Sequence, residues 1–335
     1  MRERRAAPQS PEDAVRAYAA ARPQVEAATQ GYVELVTTLL DEAGIDYLTV
    51  TGRTKSVESF AGKASRTVDG RPVFSDPLTQ ITDQVGLRVV TYVLADVDAV
   101  ADLLAAQLHV IDDRDMGLET AQAGGFGYQS RHVLLELDAE RTGRQEWSAL
   151  AGRTASVQVR TVLQHAWAEF EHDTRYKGTI PEEYAPDLDR RFTLAAGLLE
   201  LADREFVTIR DRLRQSAPGQ ADEADEDPRI SARDLAAFLA GRFPDAGWSR
   251  TEHYGWTSAL LLELGITSLA ELGEALSTQD TTALNARMDY RYPPGAVRRL
   301  DDALLALYGE RYVALTGNAH RLALLTARLE RMRQE

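Results

Sequence analysis

The stretch TASVQVRTVLQHAWAEFEHDTRYKG, Thr154 to Gly178, changes period once along its length. In its first part Val157 and Val159 alternate with Gln158 and Arg160, the pattern of a strand with one polar face. From Val162 onward the spacing is helical, and His165, Glu169 and His172 fall at i, i+4 and i+7 on one side. A strand that runs straight into a helix belongs to a sheet with helices laid against it.

The neighbouring segments extend that reading. GLRVVTYVL (86–94) is a near-continuous apolar run of strand length, as a central strand buried on both faces requires. DVDAVADLLAAQL (96–108) is an amphipathic helix with Asp96 as its expected cap. Strand patterns recur in GIDYLTVTGR (44–53), HVIDDRD (109–115) and RHVLLELD (131–138), and KSVESFAGKASR (55–66) reads as a short helix. Upstream, Val15, Tyr18, Ala19, Tyr32, Leu35, Val36, Leu39 and Leu40 keep helical spacing from Pro11 to Ala43, with Ser10 placed to cap free amides. The fold class is therefore α+β: a mixed β-sheet flanked by helices over residues 10–215. Residues 216–229 form an acidic, apolar-poor linker, and 230–335 carry helical patterns alone, as a small all-helical accessory domain.

Composition narrows the classes. The chain has 335 residues, is 44% apolar, and has no window approaching the apolar length of a membrane-spanning helix. The start, MRERRAAPQSPED, is basic without an apolar stretch behind it, so no secretory signal is expected, and a cytoplasmic location fits. Cysteine is absent, which removes disulfides, thiolate metal sites and cysteine nucleophiles. A net charge of −14 argues against broad adhesion to nucleic acid or anionic lipid, and leaves room for a local basic pocket.

Four clusters carry chemistry. In GRTKSVESFAGK, Arg53, Lys55, Ser59 and Lys63 pass from a strand into a helix N-terminus, where amides, dipole and cations all favour a polyphosphate; a solvated helix face explains the same residues. It is not a Walker loop, because the glycine spacing is missing. In ITDQVGLRVV, Asp83 is a turn residue or a Mg²⁺ ligand, and Arg88 inside the apolar run must find a carboxylate or a ligand. In GGFGYQSRH, Gly124, Gly125 and Gly127 open the loop beside Tyr128, which is either a flat stacking face for a nucleobase or a core aromatic. In the opening stretch, the His165, Glu169 and His172 face lacks the H-E-x-x-H spacing of metalloproteases and reads as one wall of a polar pocket rather than a zinc site.

In order and spacing, R-x-K-x3-S-x3-K (53–63), D-x-x-G-x-R (83–88), G-Y-x-S-x-H (127–132) and VQVRT with HAWAEFEHDTRYK resemble the synthetase domain of the RelA/SpoT family. The likeness spans about residues 30 to 180, and the short architecture is similar to the small (p)ppGpp synthetases, without the family's metal-binding hydrolase domain. It implies a nucleotidyltransferase-like domain that moves the β,γ-pyrophosphate of ATP to the 3′-hydroxyl of GDP or GTP. It implies that Arg53 and Arg88 sandwich adenine, that Lys55, Ser59 and Lys63 hold the ATP phosphates, and that Asp83 binds Mg²⁺. It further implies that Tyr128 stacks on guanine, with His132, Gln158, Arg160, His165, Glu171 and His172 lining the acceptor side. One departure stands out: the family's E-x-Q-x-R-T has Ser156 where its glutamate stands. A serine hydroxyl is no base near neutral pH without a partner, so Glu169 and Glu171 are the nearest carboxylates to take over. Other acceptors, such as a tRNA 3′ end (disfavoured by the acidic chain) or an adenine nucleotide, and a non-catalytic nucleotide binder follow from the same likeness. A homo-oligomer or a protein partner through the C-terminal helices is also expected.

Overall fold

The structure, a computed structural model, describes residues 10–122, 130–177, 184–215 and 227–333. The chain divides into two compact units, one of Met1–Thr37 with Tyr47–Glu205 and one of Thr38–Asp46 with Phe206–Glu335.

The first unit opens on α1 (Pro11–Ala43), whose first turn is closed by Ser10, as its side-chain oxygen accepts the Asp13 amide. There follow β1 (Thr49–Thr54), α2 (Val57–Ala64), a two-stranded hairpin of β2 (Thr67–Val68) and β3 (Arg71–Pro72), and the short α3 (Pro77–Gln80). Next come β4 (Val85–Thr91), α4 (Leu94–Gln107), β5 (His109–Asp115), α5 (Met116–Gln122), β6 (Arg131–Glu136) and α6 (Ala139–Thr142). β7 (Ala155–Thr161), α7 (Val162–Lys177) and α8 (Ala185–Gln215) complete the series, α8 running on into the second unit. The main sheet has the order β1-β4-β7-β6-β5, mixed as expected, with only β4 and β7 parallel. The hairpin, α3, α5 and α6 are too short to show a period and were not legible.

Asp96 does not cap α4. The helix begins one turn earlier, after Val93, which makes no side-chain cap bond, and Asp96 lies in its first turn. The transition from β7 to α7 falls where the change of period put it, at Thr161 and Val162. Thr161 Oγ1 accepts the Gln164 amide, and Gln164 Oε1 accepts the Thr161 amide at 2.8 Å. This reciprocal pair is a capping box, so the helix starts on the strand's last residue.

Register sorts the sheet into two faces. Thr51, Arg88, Gln158, His132 and Arg114 are successive cross-strand partners, so they form one row on one face. Arg53, Gly86, Ser156 and Leu134 make the next row on the same side. The opposite face carries Leu87, Val89, Val157, Val159, Val133 and Leu135, all buried, and α4 lies along these central strands. At β1 that apolar face meets α1: a Cβ at Gly52 would sit 2.7 Å from Thr29 Cγ2 and Val33 Cγ2, and the Thr29 and Thr54 hydroxyls bond at 2.8 Å.

In the second unit α9 (Ala232–Arg242), α10 (Thr251–Leu264), α11 (Leu269–Ser277), α12 (Thr281–Met288), α13 (Ala296–Tyr308), α14 (Glu310–Val313) and α15 (Leu322–Arg333) surround Leu235, Leu239, Leu260, Leu272, Leu300, Leu304 and Leu325. Among the described residues this unit holds no strand. Residues 38–46 pack here through glycines: Gly44, with φ +67°, leaves no room for a Cβ beside Gly295 Cα at 2.7 Å and Gly247 O at 2.9 Å.

Candidate functional site

Every second residue of the two central strands faces one side; their burial alternates over the first four residues, and the last three of each are buried on both sides. On that side Gly86 and Ser156 face each other across β4 and β7, as do Arg88 and Gln158. Arg160 lies one step further along β7 on the same face, 6% exposed, with Nη2 donating to Gln158 Oε1 at 2.7 Å. Burial, and then the charge of Arg88, push its pKa down to about 10 against the opposing pull of Glu169. Its Nε is buried with no hydrogen-bond partner.

Arg88 finds the carboxylate that its place in an apolar run demanded: Nη1 lies 2.9 Å from Glu169 Oε1 on α7. The guanidinium is 35% exposed rather than enclosed, since the polar face of β4 is not covered as its apolar face is. Arg53, on β1, is exposed, and its cross-strand partner is Gly86, so it stands diagonally from Arg88 on the same face.

Beside this face, Lys55, Lys63 and Asp83 form a cluster. Lys55 is held at the end of β1, where its carbonyl accepts Tyr18 Oη at 2.6 Å and its amide donates to Gln84 O at 3.0 Å. Its ammonium, 8% exposed, donates to Asp83 Oδ2 at 2.8 Å, and Lys63 Nζ approaches Oδ1 at 3.2 Å without good hydrogen-bond geometry. Burial raises the Asp83 carboxyl pKa, but the bond and charge of Lys55, and then the charge of the nearby Lys63, outweigh it and hold the group below the usual carboxylate range. The residues expected separately as a phosphate cradle and a metal ligand thus neutralise one another here. Ser59 is exposed at the start of α2, its amide donating to Ser56 Oγ and its hydroxyl 2.8 Å from it.

At the other side of the face, His132 Nε2 lies 2.8 Å from Ser130 Oγ. Burial, then the charges of Arg160 and Arg114, lower its pKa, with Glu119 opposing. His165 behaves alike: burial and Arg88 lower its pKa more than Glu169 raises it, and Arg160 lowers it further. Both rings are therefore neutral at pH 7. Glu171 is half-buried and His172 exposed on α7. Tyr128, with Gly124, Gly125 and Gly127, lies outside the described residues.

One contributor escaped the sequence reading. Arg114 is His132's partner on β5 and is bonded to Glu119 at 2.8 Å. A register shift between Val110 and Asp112 breaks the alternation that would have revealed it. Among the described residues no group of three or more His, Asp or Glu side chains is gathered as a metal site, and no helix is long and apolar enough to cross a membrane.

The arrangement is a cationic sheet face with two neutral imidazoles, a lysine-clamped aspartate and a carboxylate reaching over from α7, suited to holding polyphosphates. Comparison with known proteins agrees with the motifs. A family model described as a region found in RelA/SpoT proteins matches residues 52–180. The GTP pyrophosphokinase YwaC of Bacillus subtilis is 26% identical over 163 residues, covering 47% of this chain and 71% of that relative. The crystal structure of small alarmone synthetase 1 from Bacillus subtilis aligns at 26% identity with a TM-score of 0.44, over 60% of this chain and 97% of that one. The GTP pyrophosphokinase YjbM of Bacillus subtilis is 30% identical over 183 residues, 52% of this chain and 77% of the relative. On that identity and coverage, the chain belongs to the RelA/SpoT family.

Proposed function

We propose that the protein is a pyrophosphokinase that transfers the β,γ-pyrophosphate of ATP to the 3′-hydroxyl of GDP or GTP, giving (p)ppGpp. The observation that carries this reading is the in-register face of Arg53, Arg88, Gln158, Arg160 and His132, beside Lys55 and Lys63, in a chain whose relatives are pyrophosphokinases. Arg53 and Arg88 bracket adenine in this reading, which their diagonal position on an antiparallel pair supports, since such neighbours are roughly 7–8 Å apart, room for one flat ring. Lys55, Lys63 and the exposed Ser59 take the ATP phosphates. Arg160, Gln158, His132, His165, Glu171 and His172 form the acceptor side, with Tyr128 as the stacking face for guanine.

Mg²⁺ fits this site through one carboxylate. Asp83 is held ionised, and its buried Oδ1 lacks a hydrogen bond. With nucleotide phosphates drawing Lys55 and Lys63 away, that oxygen is available to a hard cation that takes its other ligands from phosphate and water. Bound there, the ion would supply charge neutralisation on the transferring group. The protein's own share is positioning: phosphoryl-type transfer needs the acceptor hydroxyl in line with the β-phosphorus and the charge on the phosphates offset.

The test is direct. Incubation with Mg²⁺, ATP and GDP or GTP yields a 3′-pyrophosphorylated nucleotide, and Asp83→Ala abolishes it. An absence of product above that variant with either acceptor would sink the proposal. One observation favours a second reading, a nucleotide binder without turnover: the Ser156 hydroxyl sits mid-face with no side-chain hydrogen bond among the described residues and supplies no base. Tight ATP binding with no product, even at stoichiometric protein, would establish that reading instead.

A further inference from the structure

The proposed reaction releases a proton from the acceptor hydroxyl, and most of the face has nothing to receive it. Ser156 is a hydroxyl, Arg88 and Arg160 are cations, and Gln158 is an amide. Asp83 is clamped by two ammonium groups. His132 has its Nε2 on Ser130 Oγ.

His165 differs from each of these. It lies on the first turn of α7, set over the sheet by the capping box at Thr161 and Gln164. Its Nδ1 is buried without a hydrogen-bond partner and faces Glu169 Oε1 at 3.7 Å, one turn further along the helix. Its Nε2 makes no hydrogen bond to described residues and is not among the buried unpartnered atoms, so it is open to the solvent side. Glu169 Oε1 is at the same time 2.9 Å from Arg88, which ties the carboxylate to the sheet face.

We propose that His165 is the general base for the acceptor hydroxyl, with Glu169 as the positioning residue that holds its Nδ1–H and supports the imidazolium. This rests on the pyrophosphokinase reading given above. In the step, the acceptor 3′-oxygen forms a bond to the β-phosphorus of ATP as the bond from that phosphorus to the α,β-bridging oxygen breaks. AMP departs with the electron pair, and the hydroxyl proton passes to His165 Nε2. The 3.7 Å gap to Glu169 closes as the ring gains charge, in keeping with catalytic hydrogen bonds that are long before substrate binds. The charged and titratable groups around the ring are Arg88 on β4, Arg160 on β7 and Glu169 on α7. Burial first, and then the two guanidiniums, favour the neutral free ring, and incoming phosphates offset the guanidinium charge, so the base is unprotonated before substrate and protonatable after it.

The experiment compares wild type, His165→Ala, His165→Gln and Glu169→Gln with Mg²⁺, ATP and the acceptor. Loss of a general base costs roughly 10²–10⁴-fold in kcat, and this drop is expected for both His165 variants while they still bind a non-hydrolysable ATP analogue. Wild-type kcat/KM should fall on acidification, with a limb displaced below the ordinary imidazole range because the free ring's pKa is lowered, and the His165 variants should lack that limb. Added imidazole should restore part of the activity of His165→Ala, as it would not for a side chain that merely fills space. Glu169→Gln should lower kcat more than it raises the KM for ATP. Variants within threefold of wild type in kcat, an unchanged acid limb, or no imidazole rescue in an ATP-binding His165→Ala would each overturn the dyad while leaving the pyrophosphokinase reading intact. An inactive wild type would overturn both.

Discussion

At the residue scale, the informative surprise is that Asp83, Lys55 and Lys63 meet one another. The sequence held each as a ligand contact, and nothing in linear spacing shows that β1, α2 and the turn before β4 bring two ammoniums to one carboxylate. Arg88 was more legible, because a guanidinium inside an apolar run has to be answered by an acid, and Glu169 answers it. Ser156 was legible only as a departure. The use of its neighbours depended on the His165–Glu169 contact, which helical spacing permitted but did not require. Asp83→Asn keeps the shape and removes the charge, leaving Lys55, 8% exposed, without its counter-ion. Breaking a fully buried pair costs about 3–5 kcal/mol. With Asp83 itself a third exposed, roughly 1–3 kcal/mol is expected here, seen as a lower urea midpoint with unchanged slope. An unchanged midpoint would mean that solvent already screens the pair.

At the element scale, strands and long helices were recovered wherever a period persisted. β4 and β7 show the same burial pattern, and their alternation in the sequence reflects one fact: one face meets α4 and the other is kept polar. The start of α4 was misread because Asp96 looks like a cap, whereas burial of Val93 and Val97 sets the helix entry. The start of α7 at Val162 was legible from the change of period, whereas the capping box at Thr161 and Gln164 that fixes it was not singled out. β1 shows how tightly an element can be held. Arg53 points to the site, and its neighbour Gly52 points at α1, with no space for a Cβ between Thr29 and Val33. Gly52→Val would push strand and helix apart, at the roughly 1–3 kcal/mol typical of overpacking. It should also raise the KM for ATP by moving Arg53. Thermal melts and steady-state kinetics check both, and a variant with wild-type melting would show that the β1–α1 contact yields readily.

At the scale of the whole molecule, the chain joins a polar-faced sheet unit to a helical unit whose core is not purely apolar. On α13 Asp301 and Asp302 are 2% and 0% exposed. Their cationic partners include Arg328 of α15, which reaches both acids, and Arg321 just before that helix, which bonds Asp301 and lies 4.2 Å over the Trp256 ring, while the Tyr312 and Tyr290 hydroxyls donate to Asp301 and Asp302. Such long-range pairing leaves no trace in local periodicity, which is why the unit's helices were legible and its charged interior was not. Burial raises the Asp301 carboxyl pKa, but the charge of Arg328 and the bonds and charge of Arg321 outweigh it and hold the group far below the usual carboxylate range. A carboxylate depressed on folding contributes stability that is fully present above its unfolded value and is lost as pH falls through the folded one. Asp301→Asn leaves two buried guanidiniums short of a charge and should cost about 3–5 kcal/mol at pH 7. The gap between variant and wild type should hold at pH 5 and narrow only once pH drops below the carboxyl's ordinary 3.8, where wild type loses the same interaction. Denaturant titrations followed by circular dichroism at pH 7, 5 and 3 read this directly. Equal midpoints at pH 7, or a gap that widens on acidification, would show that the buried aspartate is not what neutralises Arg321 and Arg328.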